Sequence, residues 1–211
     1  KQGRIAANNI VLGNKHLYNG SINTAIVKVF DMTVATAGTA SKHLKMAGIN
    51  HIVSTNHSGS HAGYYPGAKQ MTIQIAFSPE NGRLYSAQIA GYDGVDKRID
   101  ILASVIKNKG TIYDLTEFEH AYAPPYSSAK DPVNMAGFIA ENILTDRLNI
   151  FYWNDLGDGD DNSYLLDVRT VKEFEAGHIE GAVNIPVDEI RNRLNEIPAG
   201  KRIDIYCEAG L

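Results

Sequence analysis

Apolar positions change their spacing along this chain, and the changes mark out its elements. Residues 24–37, Thr-Ala-Ile-Val-Lys-Val-Phe-Asp-Met-Thr-Val-Ala-Thr-Ala, are rich in β-branched side chains and close on Gly38, which predicts one long strand or two short ones. Residues 50–55 predict another strand, and residues 57–68, rich in Gly, Ser and Tyr, predict a loop. Residues 71–77 and 84–89 read as a hairpin with Pro-Glu-Asn-Gly at 79–82 as its turn. The period then lengthens. Ile99, Leu102, Ala103 and Ile106 share one face of an amphipathic helix over 95–107. Consecutive prolines exclude helix from 122–126, and residues 132–144 predict a second helix with Pro in its first turn. Two shorter helices are expected at 1–12, capped by Gly13, and at 39–47, ending at Gly48.

Beyond residue 148 the rhythm changes again. Residues 149–153 are a candidate strand, and Leu-Gly-Asp-Gly-Asp-Asp-Asn at 156–162 is the clearest boundary in charge and glycine content. Strands at 164–168, 182–185 and 202–206 alternate with helices expected at 171–176 and 187–194. That alternation predicts an α/β unit with a mainly parallel sheet. The first 148 residues, strands first and helices after, predict α+β with an antiparallel sheet.

Composition narrows the possibilities. The 211 residues are 44% hydrophobic and 21% charged, which suits one or two globular domains. A net charge of −4 makes no electrostatic case for nucleic acid. No apolar run reaches the roughly 18 residues that suggest a membrane span, and the opening residues lack a signal peptide's apolar core. A single cysteine excludes a disulfide framework and fits a reducing cytoplasm, the expected compartment. The first residue is not Met, so the chain is expected to begin inside a longer gene product.

That cysteine, Cys207, follows an apolar alternation at the end of the last predicted strand. A thiol there is either a nucleophile in a backbone cradle or a buried structural cysteine. Asp167 and Arg169 fall at the C-terminal end of another strand, where parallel sheets place their sites, although such a pair also serves as a structural ion pair. Leu-Asp-Val-Arg at 166–169, Gly-His-Ile-Glu-Gly at 177–181 and Cys207, in that order, resemble the rhodanese family of sulfurtransferase domains. The resemblance implies that Cys207 carries a persulfide, with Asp167 and Arg169 supporting the strand end. In that family a helix follows the cysteine loop. This sequence stops at Leu211, so a truncated domain without a competent cradle is expected.

Four earlier segments, Lys-Gln-Gly-Arg-Ile-Ala-Ala at 1–7, Gly-Tyr-Tyr-Pro-Gly-Ala at 63–68, Gly-Val-Asp-Lys-Arg-Ile-Asp at 94–100 and Ala-Tyr-Ala-Pro-Pro-Tyr-Ser-Ser-Ala-Lys-Asp-Pro-Val-Asn at 121–134, carry a second resemblance. They are similar to the dimerisation domain of flavin-dependent pyridine nucleotide–disulfide oxidoreductases. The branch is the coenzyme A-disulfide reductases, including forms fused to a rhodanese domain. The resemblance implies that residues 1–12 end a flavin-binding domain, 13–148 form a dimerisation domain and 149–211 begin a rhodanese domain. It implies a homodimer whose full-length form uses FAD and NAD(P)H to reduce coenzyme A disulfide, coenzyme A persulfide or polysulfide, with neither cofactor bound by this chain alone. Tyr64 and Tyr122 match tyrosines that reach across the dimer towards the flavin and a redox cysteine, Tyr122 meeting the partner's flavin. Lys130 matches a lysine that contacts coenzyme A. The plainer readings are interface packing for the tyrosines and a solvated surface position for Lys130. Two other functions stay open: a non-catalytic dimerisation module, and an NADH oxidase or peroxidase of the same architecture.

No Gly-x-Gly-x-x-Gly occurs, so the dinucleotide-binding domains and the redox cysteine are expected upstream of Lys1. His57 and His61 are four apart but separated by Ser and Gly, and no metal is expected there. The run beginning at Asp158 lacks the sixth-position glycine and twelfth-position glutamate of a calcium loop.

Overall fold

The computed structural model describes residues 1–152 and 162–207. The boundary segment at 156–162, all but its last residue, and the segment after Cys207 lie outside the described residues.

The first unit is a five-stranded antiparallel sheet in the order β1-β2-β5-β4-β3, with helices against it. α1 (Gln2–Leu12) precedes it and buries none of its residues. β1 (Ala25–Val29) and β2 (Met32–Gly38) are the two short strands, paired from Ala25↔Thr36 to Val29↔Met32. α2 (Ser41–Met46) leads to β3 (Ile52–Gly59), which pairs with β4 (Gln70–Phe77), itself paired with β5 (Leu84–Gly91). In β4 the period of two puts Met71, Ile73, Ile75 and Phe77 into the core. α3 (Val95–Lys107) answers with Val95, Ile99, Leu102 and Val105. α4 (Ile112–Glu117) and α5 (Pro132–Leu144) complete the core through Ile112, Leu115, Val133, Ala136 and Ala140.

Three expectations from the sequence need correction. Residues 57–59 are strand, because His57↔Thr72, Ser58↔Met71 and Gly59↔Gln70 extend the ladder at the sheet's edge. Composition alone suggested loop there, but an available partner strand outweighs weak β-propensity. Residues 149–152 form no strand. Instead the Tyr152 hydroxyl donates to the Val53 carbonyl at 2.8 Å and accepts from the Val53 N–H at 3.3 Å, which satisfies backbone groups on the edge strand β3. The helix expected over 187–194 is a pair of 3₁₀ turns, Ile190–Asn192 and Leu194–Glu196. Asn192 and Asn195 favour turns over helix interiors, and Arg193 clamps Glu189 and Glu196 across the two turns.

The second unit is a parallel sheet in the order β7-β6-β8, with β6 (Ser163–Asp167) central, β7 (Val183–Asn184) on one side and β8 (Arg202–Tyr206) on the other. α6 (Val171–Ala176) starts at a capping box in which Thr170 and Glu173 serve each other's backbone. The α+β unit followed by a parallel α/β unit agrees with the class read from the sequence.

Gly38 ends β2 at φ +83°, where a Cβ would overlap the Tyr85 carbonyl oxygen and lie 2.9 Å from Ser86 Cα. Both neighbours are backbone, so neither yields cheaply. Gly38→Ala is expected to destabilise by about 2 kcal/mol or more, read as a lower urea midpoint at unchanged slope.

Candidate functional site

The loop joining α4 to α5 carries most of the candidate chemistry, and its anchor is Asp131. Fully buried, Asp131 caps α5 by accepting from the Val133 N–H at 3.1 Å. It also takes a forked ion pair from Arg98, Nη2 to Oδ2 at 2.8 Å and Nε to Oδ1 at 3.3 Å, and a hydrogen bond from the Ser127 hydroxyl at 2.6 Å. Burial pushes its pKa up. The hydrogen bonds from Arg98, Ser127 and the Val133 N–H outweigh that push, so the carboxyl sits below the ordinary range. Arg98 comes from the apolar face of α3 and is 1% exposed. Its remaining donors reach the Ser60 carbonyl at 2.8 Å and the Gly94 carbonyl at 3.1 Å.

This arrangement fastens two loops to one buried charge pair. Ser60 begins the turn that carries Tyr64, and Asp131 ends the loop that carries Tyr122. The Ala62 N–H also donates to the Ser127 carbonyl at 3.1 Å, tying the loops directly. Their tyrosines meet with hydroxyls 3.0 Å apart. Both rings are open to solvent, Tyr64 77% and Tyr122 50% exposed. The Tyr64 hydroxyl is the main reason the Tyr122 phenol titrates above its ordinary value, with desolvation adding to it. A neutral phenol on an exposed face can donate a hydrogen bond to an incoming group without bringing charge.

Lys130 lies beside this pair, its ammonium 5.9 Å from the centre of the Phe138 ring. Tyr122, Lys130 and Phe138 line a cleft of about 280 Å³ together with His120 and Phe118. The structure therefore brings together Tyr64, Tyr122 and Lys130. The other candidates, Asp167, Arg169 and Cys207, belong to the second sheet. There Arg169 grips Asp167 through Nε at 3.0 and 3.1 Å and Nη2 at 2.7 Å, and reaches on to the Gly177 carbonyl at 2.8 Å. Burial raises the Asp167 pKa, but the hydrogen bonds from Arg169 bring it below the usual carboxylate range, and the Arg169 pKa rises in return. The guanidinium also sits 5.5 Å from the Tyr206 ring, whose hydroxyl accepts from the Ile179 N–H at 3.2 Å. The pair thus frames the end of β6, the 177–181 turn and the end of β8, beside which the half-buried Cys207 emerges. Its following backbone lies outside the described residues.

His57 and His61 take separate partners, His57 the Thr72 hydroxyl and His61 the Ala62 carbonyl. Among the described residues no group of three or more His, Cys, Asp and Glu could hold a metal ion.

Sequence reading missed Arg98, Ser127, Asp131 and His120. Two signals were available: an arginine within the apolar stripe of α3, and an Asp-Pro pair that marks a helix N-terminus. His120 gave none. Its ring is buried and neither nitrogen has a hydrogen-bond partner, while Nδ1 stands 3.8 Å from Asp131 Oδ2. Burial depresses its pKa below 6.5 more than Asp131 raises it, and Lys97 and Arg98 lower it further. A histidine depressed on folding binds fewer protons folded than unfolded. Stability is therefore expected to fall as pH drops below 6.5, until the folded-state ring also protonates. Urea midpoints between pH 7 and 5 check this: His120→Phe should flatten the slope, and an unchanged slope would contradict it.

The fold defines a class. The model of the pyridine nucleotide-disulphide oxidoreductase dimerisation domain matches residues 24–132, and that of the rhodanese-like domain matches residues 152–211. The chain belongs to the pyridine nucleotide-disulphide oxidoreductase dimerisation-domain family. Within it, 136 residues are 44% identical to coenzyme A disulfide reductase of Staphylococcus haemolyticus, covering 62% of this chain and 30% of that protein. The crystal structure of reduced Bacillus anthracis CoADR-RHD superposes with a TM-score of 0.94 at 45% identity, over 98% of this chain and 37% of that one. The NAD-dependent persulfide reductase from A. fulgidus gives 0.87 at 36% identity, over 98% and 37%. The chain therefore spans about a third of the length of these relatives. No helix among the described residues is long and apolar enough to cross a membrane.

Proposed function

We propose that this chain is the dimerisation and rhodanese portion of a homodimeric flavoenzyme that uses NAD(P)H to reduce coenzyme A disulfide, coenzyme A persulfide or polysulfide. Residues 1–12 end its flavin-binding domain, residues 13–148 form the dimer, and residues 149–211 belong to the rhodanese domain. The observation that carries this reading is the Tyr64–Tyr122 pair, two phenols set 3.0 Å apart on an exposed face by a buried ionic tie. Exposed hydroxyls so firmly mounted suit a site completed by a second subunit. The β1–β2 hairpin supports association, since Ile26, Val27 and Phe30 are exposed together, Phe30 at 94%.

The chain's own residues offer FAD an edge and no cradle. Tyr122 can donate to a flavin rim, while the sequence contains no phosphate-binding loop, so the cofactor's hold lies in other segments. Bound there, FAD would supply the two-electron link between NAD(P)H and the redox cysteine. This chain's part is at the substrate. The Tyr122 hydroxyl donates to the thiolate leaving the coenzyme A disulfide, and Tyr64 holds that hydroxyl in place. Lys130 meets a phosphate of coenzyme A as a point charge. In the second domain Cys207 carries sulfane sulfur, with Asp167 and Arg169 fixing the strand end behind it.

Full-length protein loaded with FAD is expected to run as a dimer on gel filtration and to release thiol from coenzyme A disulfide at the expense of NADH or NADPH. A strict monomer would contradict the interface. NAD(P)H consumption that follows oxygen, without thiol release, would favour the oxidase reading. Cys207→Ser is expected to abolish thiocyanate formation from thiosulfate and cyanide in that protein while leaving disulfide reduction intact, and undiminished thiocyanate would remove Cys207 from the sulfur path.

A further inference from the structure

Tyr64 is carried by a loop that is closed at its base. The Ser60 N–H donates to the Lys69 carbonyl at 2.8 Å, and the Lys69 N–H returns to the Ser60 hydroxyl at 3.1 Å. Of residues 61–68, all of them described, only His61 and Ala62 are buried, each 6% exposed. The loop therefore folds over one imidazole. A buried polar ring costs stability unless it is hydrogen-bonded, and an apolar residue would fill the same space without that cost. The question is what the imidazole's hydrogen bond does.

The Nδ1 of His61 lies 3.1 Å from the Ala62 carbonyl oxygen, and the Tyr65 ring meets the imidazole edge to face at 5.7 Å between centres. A carbonyl can only accept, so in the neutral ring Nδ1 carries the proton and Nε2 the lone pair. The same carbonyl takes the Tyr65 N–H at 2.9 Å. That bond closes a four-residue turn from Ala62 to Tyr65, with Tyr64 at its third position. The Ala62 N–H donates to the Ser127 carbonyl at 3.1 Å. Ala62 is thus held on both sides, its N–H by the loop that carries Tyr122 and its carbonyl within the turn that carries Tyr64. Among the described residues, His61 is the one side chain with a hydrogen bond to that carbonyl.

We propose that His61 is a positioning residue for the tyrosine pair: by orienting the Ala62 carbonyl it fixes the turn that sets the Tyr64 hydroxyl against that of Tyr122. Its action is on Tyr64 alone. The role rests on the proposed activity only for its effect on turnover. The geometry it controls, two hydroxyls 3.0 Å apart, is independent of any reaction.

The Tyr122 phenol reports that geometry, because the Tyr64 hydroxyl is the main reason it titrates above its ordinary value. Tyrosine rings labelled with carbon-13 are titrated in the whole chain, and Tyr122→Phe assigns the resonance. His61→Phe keeps a ring against Tyr65 and removes the donor, and is expected to lower the Tyr122 pKa towards its ordinary value. The amide of His61→Asn can place an N–H where Nδ1 stands, and is expected to hold the Tyr122 titration where it is in the unmodified protein. Tyr64→Phe should lower the Tyr122 pKa as well, and adding it to His61→Phe should lower it no further, since both act through one hydroxyl. In the full-length enzyme His61→Phe is expected to cut kcat for coenzyme A disulfide about tenfold, and His61→Asn to restore most of it. A Tyr122 titration left in place by His61→Phe would overturn the proposal, and so would a His61→Asn protein that behaves like His61→Phe. If neither variant folds, the unmodified protein still decides. Nitrogen-15 shifts at pH 8 are expected to place the His61 ring proton on Nδ1, and a proton on Nε2 instead would overturn the proposal. A full-length protein that reduces no coenzyme A disulfide, with the phenol titrations as expected, would refute the proposed activity and leave the positioning role standing.

Discussion

Asp131→Ala is expected to lower stability by about 3–5 kcal/mol. The substitution leaves the Arg98 guanidinium buried at 1% exposure with no carboxylate, and it removes the cap from α5. Breaking one half of a buried pair costs far more than the pair contributes over an apolar replacement, because the surviving charge has no water to turn to. The double variant Arg98→Met, Asp131→Leu should therefore recover part of the loss, although the cap stays missing. Urea unfolding of the three proteins checks this, and a loss below about 1 kcal/mol for the single variant would contradict the assignment. The pH dependence has the same sign as that of His120, stability falling with pH, but lies in a lower window. A depressed carboxylate contributes stability above its unfolded value of 3.8 and loses it as pH falls through the folded value, so the tie holds at pH 5.

The second large effect is on turnover. Tyr122→Phe in the full-length enzyme is expected to reduce kcat for coenzyme A disulfide by about 10²–10³-fold, the range for removing one donor to a developing anion. Hydride delivery from NAD(P)H, measured as flavin bleaching, should not change. Tyr64→Phe should cost less, since its hydroxyl acts on Tyr122 at 3.0 Å and Tyr122 keeps its own proton. Equal losses in bleaching and turnover would move Tyr122 away from the substrate.

The strong periods in the sequence carried most of the fold. Alternation in 71–77 and the 3.6-residue stripe of 95–107 gave β4 and α3 because a single face of each is buried. Where the period was short or the composition ambiguous, neighbours decided. Residues 57–59 became strand only because β4 was long enough to pair with them. Ile112–Glu117 is one and a half turns and went unread, although the Thr111-x-x-Asp114 capping box announced it. Within the site, Tyr64, Tyr122 and Lys130 were singled out by resemblance alone, and their spatial relation was not legible. Tyr64 and Tyr122 are 58 residues apart, and nothing in their spacing shows that a buried Arg98 draws their loops together. His120 was the least legible, since its significance lies in hydrogen bonds that the fold leaves unmade.

The central claim is that Tyr64 and Tyr122 complete an active site belonging to the other subunit. Mixed dimers test it most directly. A Tyr64→Phe, Tyr122→Phe subunit is paired with one whose flavin-adjacent redox cysteine is replaced by serine. Each homodimer is expected to be nearly inactive with coenzyme A disulfide. If the tyrosines act across the interface, the mixed dimer holds one site with both lesions and one with none, and activity reappears. If mixing restores nothing while the heterodimer is shown to form, the tyrosines serve their own subunit and the account is wrong.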